Sequence, residues 1–242
     1  MKMMALEVSD DSQWVFLYKL AFADGNSLEF PIYIDKATNS FIANTPSPPP
    51  TWAQLDYQQC SNCPLSKSDV PICPVAANLV PLIDLCGAIS SYRSVNIQVL
   101  TPERTISGET TAQRVLSSIL GLIIATSPCP HTEYLKPMAR FHLPLASDDE
   151  TIYRVTSMYL LSQYFLYKDG KSYSLELDNL SNIYKNLQVI NRALASRLKV
   201  AISDDAAVNG IILLDLLGQS VSWSIEEGLE HLRYLFKHYG LA

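Results

Sequence analysis

The stretch WVFLYKLAFADGNSLEFPIYID, residues 14–35, contains two runs of β-forming residues separated by Asp24-Gly25-Asn26. Aromatic and β-branched residues are frequent in both runs, and an Asp-Gly pair between such runs is typical of a tight hairpin turn. Pro31 lies inside the second run, which favours an edge position because proline cannot donate to a strand ladder. The sequence therefore predicts a β-hairpin region over residues 14–42.

The segments that flank this hairpin extend the prediction. Residues 43–51, ANTPSPPPT, predict a stiff linker, because consecutive prolines favour an extended backbone. The cysteine-rich loop 56–75 follows. The segment SVNIQVLTPERTI, residues 94–106, predicts a further strand able to join the hairpin sheet.

Residues 110–242 predict a mainly helical body. Before it, apolar residues at helical spacing predict a helix over about 79–91, with Pro81 in its first turn. Two capping boxes, Ser147–Glu150 and Ser224–Glu227, predict helices that begin there, the first ending near Tyr167. Other helices are predicted over 110–126, around 180–194 and over 204–217, and Gly240 is the predicted stop of the last one. We therefore expect one α+β domain over residues 1–242, in which a small antiparallel N-terminal sheet packs on a larger helical body.

Composition restricts the class of protein. The chain has 242 residues, of which 48% are apolar and 17% charged, with a net charge of -6. Basic residues form no run and have no interleaved aromatic platform, so nothing favours nucleic acid as a partner. The longest strongly apolar run, ILGLIIA at 119–125, is far shorter than the about 20 residues of a spanning helix. Residues 1–14 lack the apolar stretch of a signal peptide, so we expect a cytoplasmic protein without a membrane segment.

Three of the five cysteines lie in DYQQCSNCPLSKSDVPICPV, residues 56–75. Cys60 and Cys63 have the C-x2-C spacing, with which a tight turn presents two sulfurs to one ion. Cys73 follows after a loop long enough to turn back and add a third ligand. Reduced cytoplasmic thiols clustered in this way indicate metal or redox chemistry more often than a disulfide framework.

The fourth ligand of such a site has two candidates among the remaining cysteines. Cys86 lies on the apolar face of its predicted helix, which favours a buried core cysteine that acts as a small hydrophobe. Cys129 lies between two prolines directly after a predicted helix, on irregular backbone where a ligand is expected. We therefore predict Cys60, Cys63, Cys73 and Cys129 as the metal ligands.

The residues around these cysteines favour an iron–sulfur cluster. Proline follows Cys63, Cys73 and Cys129, and Cys-Pro is common around such clusters. Structural zinc is the alternative, although zinc ribbons usually pair two C-x2-C knuckles and this chain has one. Reduced structural thiols or an opportunistic disulfide remain as the interpretation without a metal.

Histidine is a further possible ligand in the same region. His131 is two residues from Cys129, and His142 lies in ARFHLP a little further on. An ordinary histidine is the favoured interpretation for both, and their contribution to the site stays open. Arg140 and Lys136 nearby indicate either an anion site beside the metal or a loop that ties two helices, and the structural interpretation is favoured.

The combination of QCSNCPL, CPVAANLV, TSPCP and LKPMARFHLPLAS resembles a family of bacterial proteins of unknown function. The resemblance covers nearly the whole chain, including the opening hairpin. It implies that the four cysteines belong together and that the setting is the bacterial cytoplasm. It implies no activity.

Three function classes remain open from the sequence. The first is a bacterial iron–sulfur protein whose cluster has a structural, redox-sensing or electron-transfer role with a redox partner. The second is a zinc-stabilised module that binds a protein partner without catalysis. The third is an enzyme that uses the cluster or the Arg140–His142 segment, although the chain contains no G-x-S-x-G, P-loop, dinucleotide-binding or H-E-x-x-H pattern.

Overall fold

The computed structural model describes residues 11–43 and 48–240. The fold is α+β, as predicted, with an antiparallel sheet in the N-terminal part and a larger helical body. The sheet has the order β3-β2-β1-β4-β5. Its strands are β1 (Gln13–Phe22), β2 (Ser27–Asp35), β3 (Ser40–Phe41), β4 (Ser94–Leu100) and β5 (Thr105–Thr111).

The hairpin predicted at residues 14–35 is confirmed as β1 and β2. Asp24 accepts a hydrogen bond from the backbone of Asn26 at 3.1 Å, and Gly25 adopts a φ of 85° between them, a conformation that glycine enters at little cost. Pro31 pairs with Leu17 of β1, while the short β3 reaches only the end of β2. Although β2 lies between β3 and β1 in the sheet, no described strand pairs with the outer side of Pro31, which agrees with the predicted edge position.

The segment predicted as one strand at 94–106 contains β4 and the beginning of β5. Along β4, buried Val95, Ile97 and Val99 alternate with exposed polar residues. Such alternation is the pattern of a sheet with one face on the core and the other in water. The register places Tyr18 of β1 between Phe30 and Val99, so neighbouring strands bury the same face.

The helices are connected by short turns and 3-10 segments. Within the part of the chain that the structure describes, three 3-10 segments cover Thr51–Ala53, Glu133–Leu135 and Glu230–Tyr239. The α-helices are α1 (Pro74–Cys86), α2 (Ala112–Thr126), α3 (Lys136–Arg140), α4 (Asp148–Lys168), α5 (Asp178–Ala201) and α6 (Ala206–Glu226).

Helix α2 is the centre of the fold. It is buried on nearly all sides, because the sheet covers one side and α6 the other. At the crossing with α6, Gly210 packs so closely that an added Cβ would lie 3.0 Å from the backbone nitrogen of Ser117. Helix α5 then packs on α6 and completes the layers.

Both predicted boundaries of the first helix are wrong. Helix α1 begins at Pro74 and ends at Cys86, so Pro81 lies inside it rather than in its first turn. The start was misplaced because Pro74 directly after Cys73 occupies the first helical position, where proline is favoured. The cysteine loop therefore ends at Cys73.

The two capping boxes have opposite outcomes. Ser147 and Glu150 form the reciprocal hydrogen bonds of a capping box at the start of α4. Ser224 is 2% exposed inside α6, which continues to Glu226 where the sequence predicted an end near 217. The last segment is a 3-10 helix that ends, as predicted, at Gly240 with a φ of 77°.

Among the described residues, α6 is a helix of sufficient length and apolar character to cross a membrane by those two criteria alone. The helix predicted at 204–217 is shorter than α6, so the sequence prediction did not show this property. Core helices of soluble proteins meet the same criteria, and α6 packs against α2 and α5. Part of the predicted linker, residues 44–47, lies outside the described residues. The same holds for residues 1–10 of the N-terminal segment, which lacks the apolar stretch of a signal peptide.

Candidate metal centre

The C-x2-C segment forms a tight turn in which the Cys63 backbone donates to the Cys60 carbonyl at 3.0 Å. Both cysteines are half-buried. Gln59 donates to the Leu65 carbonyl at 3.1 Å and closes the loop behind the turn. The turn therefore presents two sulfurs from one short segment, as the spacing predicts.

Cys73 lies at the N-cap of α1, in extended backbone directly before Pro74. Its backbone donates to the Ala53 carbonyl at 2.9 Å, and Leu55 donates to the Pro71 carbonyl at 2.9 Å. These bonds pair the chain before the cysteine loop with the chain that ends it. Cys73 therefore lies at the N-terminus of α1, where the helix dipole carries partial positive charge.

Cys129 is fixed in the irregular loop after α2. Its carbonyl accepts hydrogen bonds from the backbones of Thr132 and Glu133, at 3.0 and 3.2 Å. Asn78 of α1 donates to the Ser127 hydroxyl at 2.9 Å and ties this loop to the helix that follows Cys73.

His131 connects the Cys129 loop to the C-x2-C turn. Its Nε2 donates to the carbonyl oxygen of Asn62, between the two cysteines of the turn, at 2.7 Å. Asn62 in turn donates to the Asn186 side chain on α5 at 2.9 Å. His131 therefore positions the segments that carry the thiols, and its Nε2 is engaged by a carbonyl.

The four predicted cysteines are neighbours in space. Burial, together with the charges of Cys73, Cys63 and Cys129, raises the pKa of the Cys60 thiol to about 12. Burial also raises the pKa of Cys129, on which the charges of Cys73 and Cys63 act as well. The cysteine loop and the Cys129 loop, which are distant in sequence, thus bring four thiols within electrostatic reach of one another. We call residues 51–73 and 127–133 the cysteine junction.

Cys86 does not belong to this group. It is 2% exposed in the apolar core, and burial alone raises its pKa to about 12. The prediction of a core cysteine is confirmed. All five cysteines are free thiols.

Within residues 11–43 and 48–240, no group of three or more Cys, His, Asp or Glu side chains is arranged to hold a metal ion. A zinc ion with Zn–S distances of about 2.3 Å requires thiolates in mutual contact around it. The cysteines of the junction are neighbours without forming that shell. Metal binding by the four cysteines stays a prediction.

Arg197 of α5 is a buried cation beside the junction, and it is 1% exposed. Its Nη1 donates to the carbonyls of Trp52 and Gln54 at 2.7 and 2.6 Å, and its Nη2 donates to that of Leu55 at 2.9 Å. Within the described residues no carboxylate lies at ion-pair distance from it, and its Nε has no partner. Its charge counteracts the rise in the pKa of Cys60.

Arg197 was not predicted from the sequence, although a signal was present. The residue lies three positions after Leu194, on the helix face that the periodicity of residues 180–194 marks as buried. A cation on such a face indicates a polar partner, since an unpaired buried charge is costly.

The side of the junction at Cys60 is open. The segment 58–61 faces α5 across a pocket of about 260 Å³, which α5 lines with Val189, Arg192, Ala193 and Ser196. A small molecule or a partner's surface can therefore approach Cys60 without unfolding of the junction.

The Arg140–His142 segment lies elsewhere and ties the sheet to the helices. Arg140 forms an ion pair with Glu103 at 2.5 Å and stacks on Trp14 at 4.6 Å. His142 Nε2 lies 2.5 Å from the Tyr18 hydroxyl, and burial lowers the pKa of this histidine to about 3. The structural interpretation of this segment is supported, and the environment of His142 is the sheet and α2 rather than the cysteines.

Residues 16–237 match the sequence pattern of a family described as a domain of unknown function, DUF6901. The chain belongs to this family. The match spans nearly the whole chain, in agreement with the resemblance to an uncharacterised family, and it assigns no activity. No curated protein and no solved structure matches the chain.

Proposed function

We propose that this DUF6901 protein binds an iron–sulfur cluster through Cys60, Cys63, Cys73 and Cys129. The observation that carries the proposal is the convergence of four half-buried thiols from three separate segments. Cysteines that only pack in a hydrophobic core do not need to converge in this way, whereas the cysteine ligands of a cluster do. The proposed setting is the bacterial cytoplasm, where such thiols stay reduced.

The electrostatics of the junction support an anionic metal centre. Four thiolates around iron or zinc carry net negative charge, which burial disfavours. Arg197 provides a cation without a carboxylate partner, and the N-terminus of α1 provides partial positive charge at Cys73. Hydrogen bonds and charges of this kind also set the reduction potential of a cluster.

Two features favour a cluster over a single zinc ion. The prolines after Cys63, Cys73 and Cys129 are one. The single C-x2-C pair is the other, because zinc ribbons usually pair two such knuckles. The pocket at Cys60 gives a redox partner or an oxidant access to the edge of the cluster, so a sensing or electron-transfer role is preferred to a purely structural one.

A zinc-stabilised interaction module is the second candidate. An exposed apolar surface on α4 favours it, since Leu161, Tyr164, Phe165 and Tyr167 are each more than half exposed. Contiguous surfaces of this type are found where proteins bind partners. The identity of the metal distinguishes the two proposals.

The test is anaerobic purification with a visible spectrum and analysis of iron, sulfide and zinc per chain. We expect a brown protein with iron and sulfide that are lost in Cys60→Ala and Cys129→Ala. Cys86→Ala is the matched control and keeps both, because Cys86 lies in the core. A colourless protein with about one zinc per chain would replace the cluster by the second candidate. Purified protein without either metal would refute both.

A further inference from the structure

A second site lies in the helical body, separate from the cysteines. A cavity of about 360 Å³ opens between α2, α5, α6 and the segment that contains α3. This volume falls in the range of small-molecule pockets, about 300–1,000 Å³. Most of the lining is aliphatic, including Leu122, Leu135, Met138, Leu187, Leu214 and Leu217.

Arg154 of α4 is the charged group that lines this cavity and is partly withdrawn from water. Burial lowers its pKa, while the charges of Tyr184 and Glu150 act in the opposite direction. Its Nη2 donates to the carbonyls of Met138 and Phe141 at 3.2 and 2.7 Å. Within the described residues no carboxylate lies at ion-pair distance from the guanidinium, and both of its hydrogen bonds come from Nη2. Nη1 and Nε are therefore left for a ligand.

The remaining polar groups of the cavity keep its charge positive. Arg114 lines it as an exposed second cation, and Asp148 is the carboxylate in the lining, where it accepts a hydrogen bond from Ser220 at 3.0 Å. His142 is neutral at physiological pH because burial lowers its pKa to about 3. The lining thus contains two guanidinium groups and one carboxylate, among residues that are mostly aliphatic.

We propose that this cavity binds a small aliphatic carboxylic acid, with the carboxylate on Arg154 and the chain between α2 and α6. Arginine binds carboxylates in a bidentate manner, and a guanidinium with no carboxylate at ion-pair distance among the described residues favours an anion over a neutral molecule. The aliphatic lining selects a hydrocarbon chain over a polar body. The proposal does not depend on the metal centre.

The test is calorimetric titration of the full chain, as isolated, with octanoate and with 1-octanol. These probes share the hydrocarbon chain and differ in charge, so we expect octanoate to bind about tenfold more tightly or better. Arg154→Met should remove this preference, and Arg154→Lys should keep part of it. Ala146→Leu, which fills the cavity and leaves the guanidinium in place, should weaken both ligands.

Arg233→Met is the matched control, because Arg233 is an arginine outside the cavity lining that pairs with Glu230. It should bind octanoate like the wild type. The proposal would be overturned by equal affinity for the two probes, by unchanged octanoate binding in a folded Arg154→Met variant, or by the absence of octanoate binding at millimolar concentration.

Discussion

The sheet–helix interior and the cysteine junction are held together in different ways. In the interior, the buried faces of β1, β2 and β4 meet α2 through continuous apolar contact, and the backbone is paired within strands and helices. In the junction, the backbone is irregular, and side chains far away in the sequence donate hydrogen bonds to its carbonyls. Arg197 serves three of them and His131 a fourth.

This difference indicates that the apolar interior provides most of the stability, whereas the junction carries the candidate functional site. Regular elements satisfy their own backbone, so their side chains need only be apolar and of the right size. Irregular segments need polar side chains as hydrogen-bond partners for their backbone, and these partners determine the positions of the four thiols. We therefore expect changes in the interior to lower global stability without loss of metal, and changes in the junction to affect both.

The largest expected effect is on the interior side. Ile119 of α2 is fully buried between the sheet and the helical layers. Ile119→Ala should lower the free energy of unfolding by about 3 kcal/mol, because it removes buried methyl groups and leaves a cavity. Urea unfolding followed by circular dichroism measures this loss.

The metal content of folded Ile119→Ala should equal that of the wild type. Val200→Ala is a suitable control, since Val200 is 69% exposed and its truncation removes little buried surface. A folded Ile119→Ala protein without metal would show that the interior and the junction are not independent.

The next effect in size is expected at Arg197. Arg197→Gln should lower the free energy of unfolding by about 2 kcal/mol, because a shorter side chain leaves buried carbonyls of residues 52–55 without a donor. Unlike the interior variant, it should also lose metal or change the reduction potential, since it removes the cation beside Cys60. Amide exchange should increase first in the junction and not in β1 or β4.

Lys199→Gln is the control for Arg197→Gln. It removes one positive charge two positions away on the same helix, at an exposed residue, and should change neither metal content nor exchange in the junction. If both variants lowered the potential equally, the net charge of the chain would be responsible rather than the buried guanidinium.

The fold was largely predictable because its signals are local. The Asp-Gly turn, the β-forming runs on either side and the periodicity of the helices each depend on residues near in sequence. Boundaries failed where a local signal has two interpretations. Ser224-x-x-Glu227 has the pattern of a capping box, but α6 is apolar enough to continue through it, so the serine is buried inside the helix.

The residues of the candidate site also fall into those that local sequence signals indicate and those that they do not. Cysteine spacing and the flanking prolines were sufficient to group Cys60, Cys63 and Cys73, and the irregular Pro-Cys-Pro segment added Cys129. The contacts of Arg197 and Asn62 were not predicted, because their partners lie more than 100 residues away in the sequence. These partners are backbone carbonyls for Arg197 and a side-chain amide for Asn62. A backbone carbonyl leaves no mark in a sequence, so contacts of this type become visible only in the fold.

The smallest expected effect concerns a tie between the sheet side and α6. Asp205 accepts hydrogen bonds from the backbone and the hydroxyl of Ser91, at 2.8 and 2.9 Å, and the backbone bond is the main cause of its lowered pKa. A carboxylate with a lowered folded pKa stabilises the protein above the unfolded pKa, about 4. This stabilisation is lost as the pH falls through the lower, folded pKa.

Asp205→Asn should therefore unfold at a lower urea concentration than the wild type at neutral pH, and the difference should shrink as the pH falls below about 4. Urea midpoints of both proteins from pH 7 down to the acid limit of folding measure it. Asp204→Asn, the neighbouring exposed acid, is the matched control. A difference that stays constant with pH would mean that the amide fails to fit at this position and that the charge of Asp205 contributes nothing. Metal content should stay unchanged in either case, because this contact lies outside the cysteine junction.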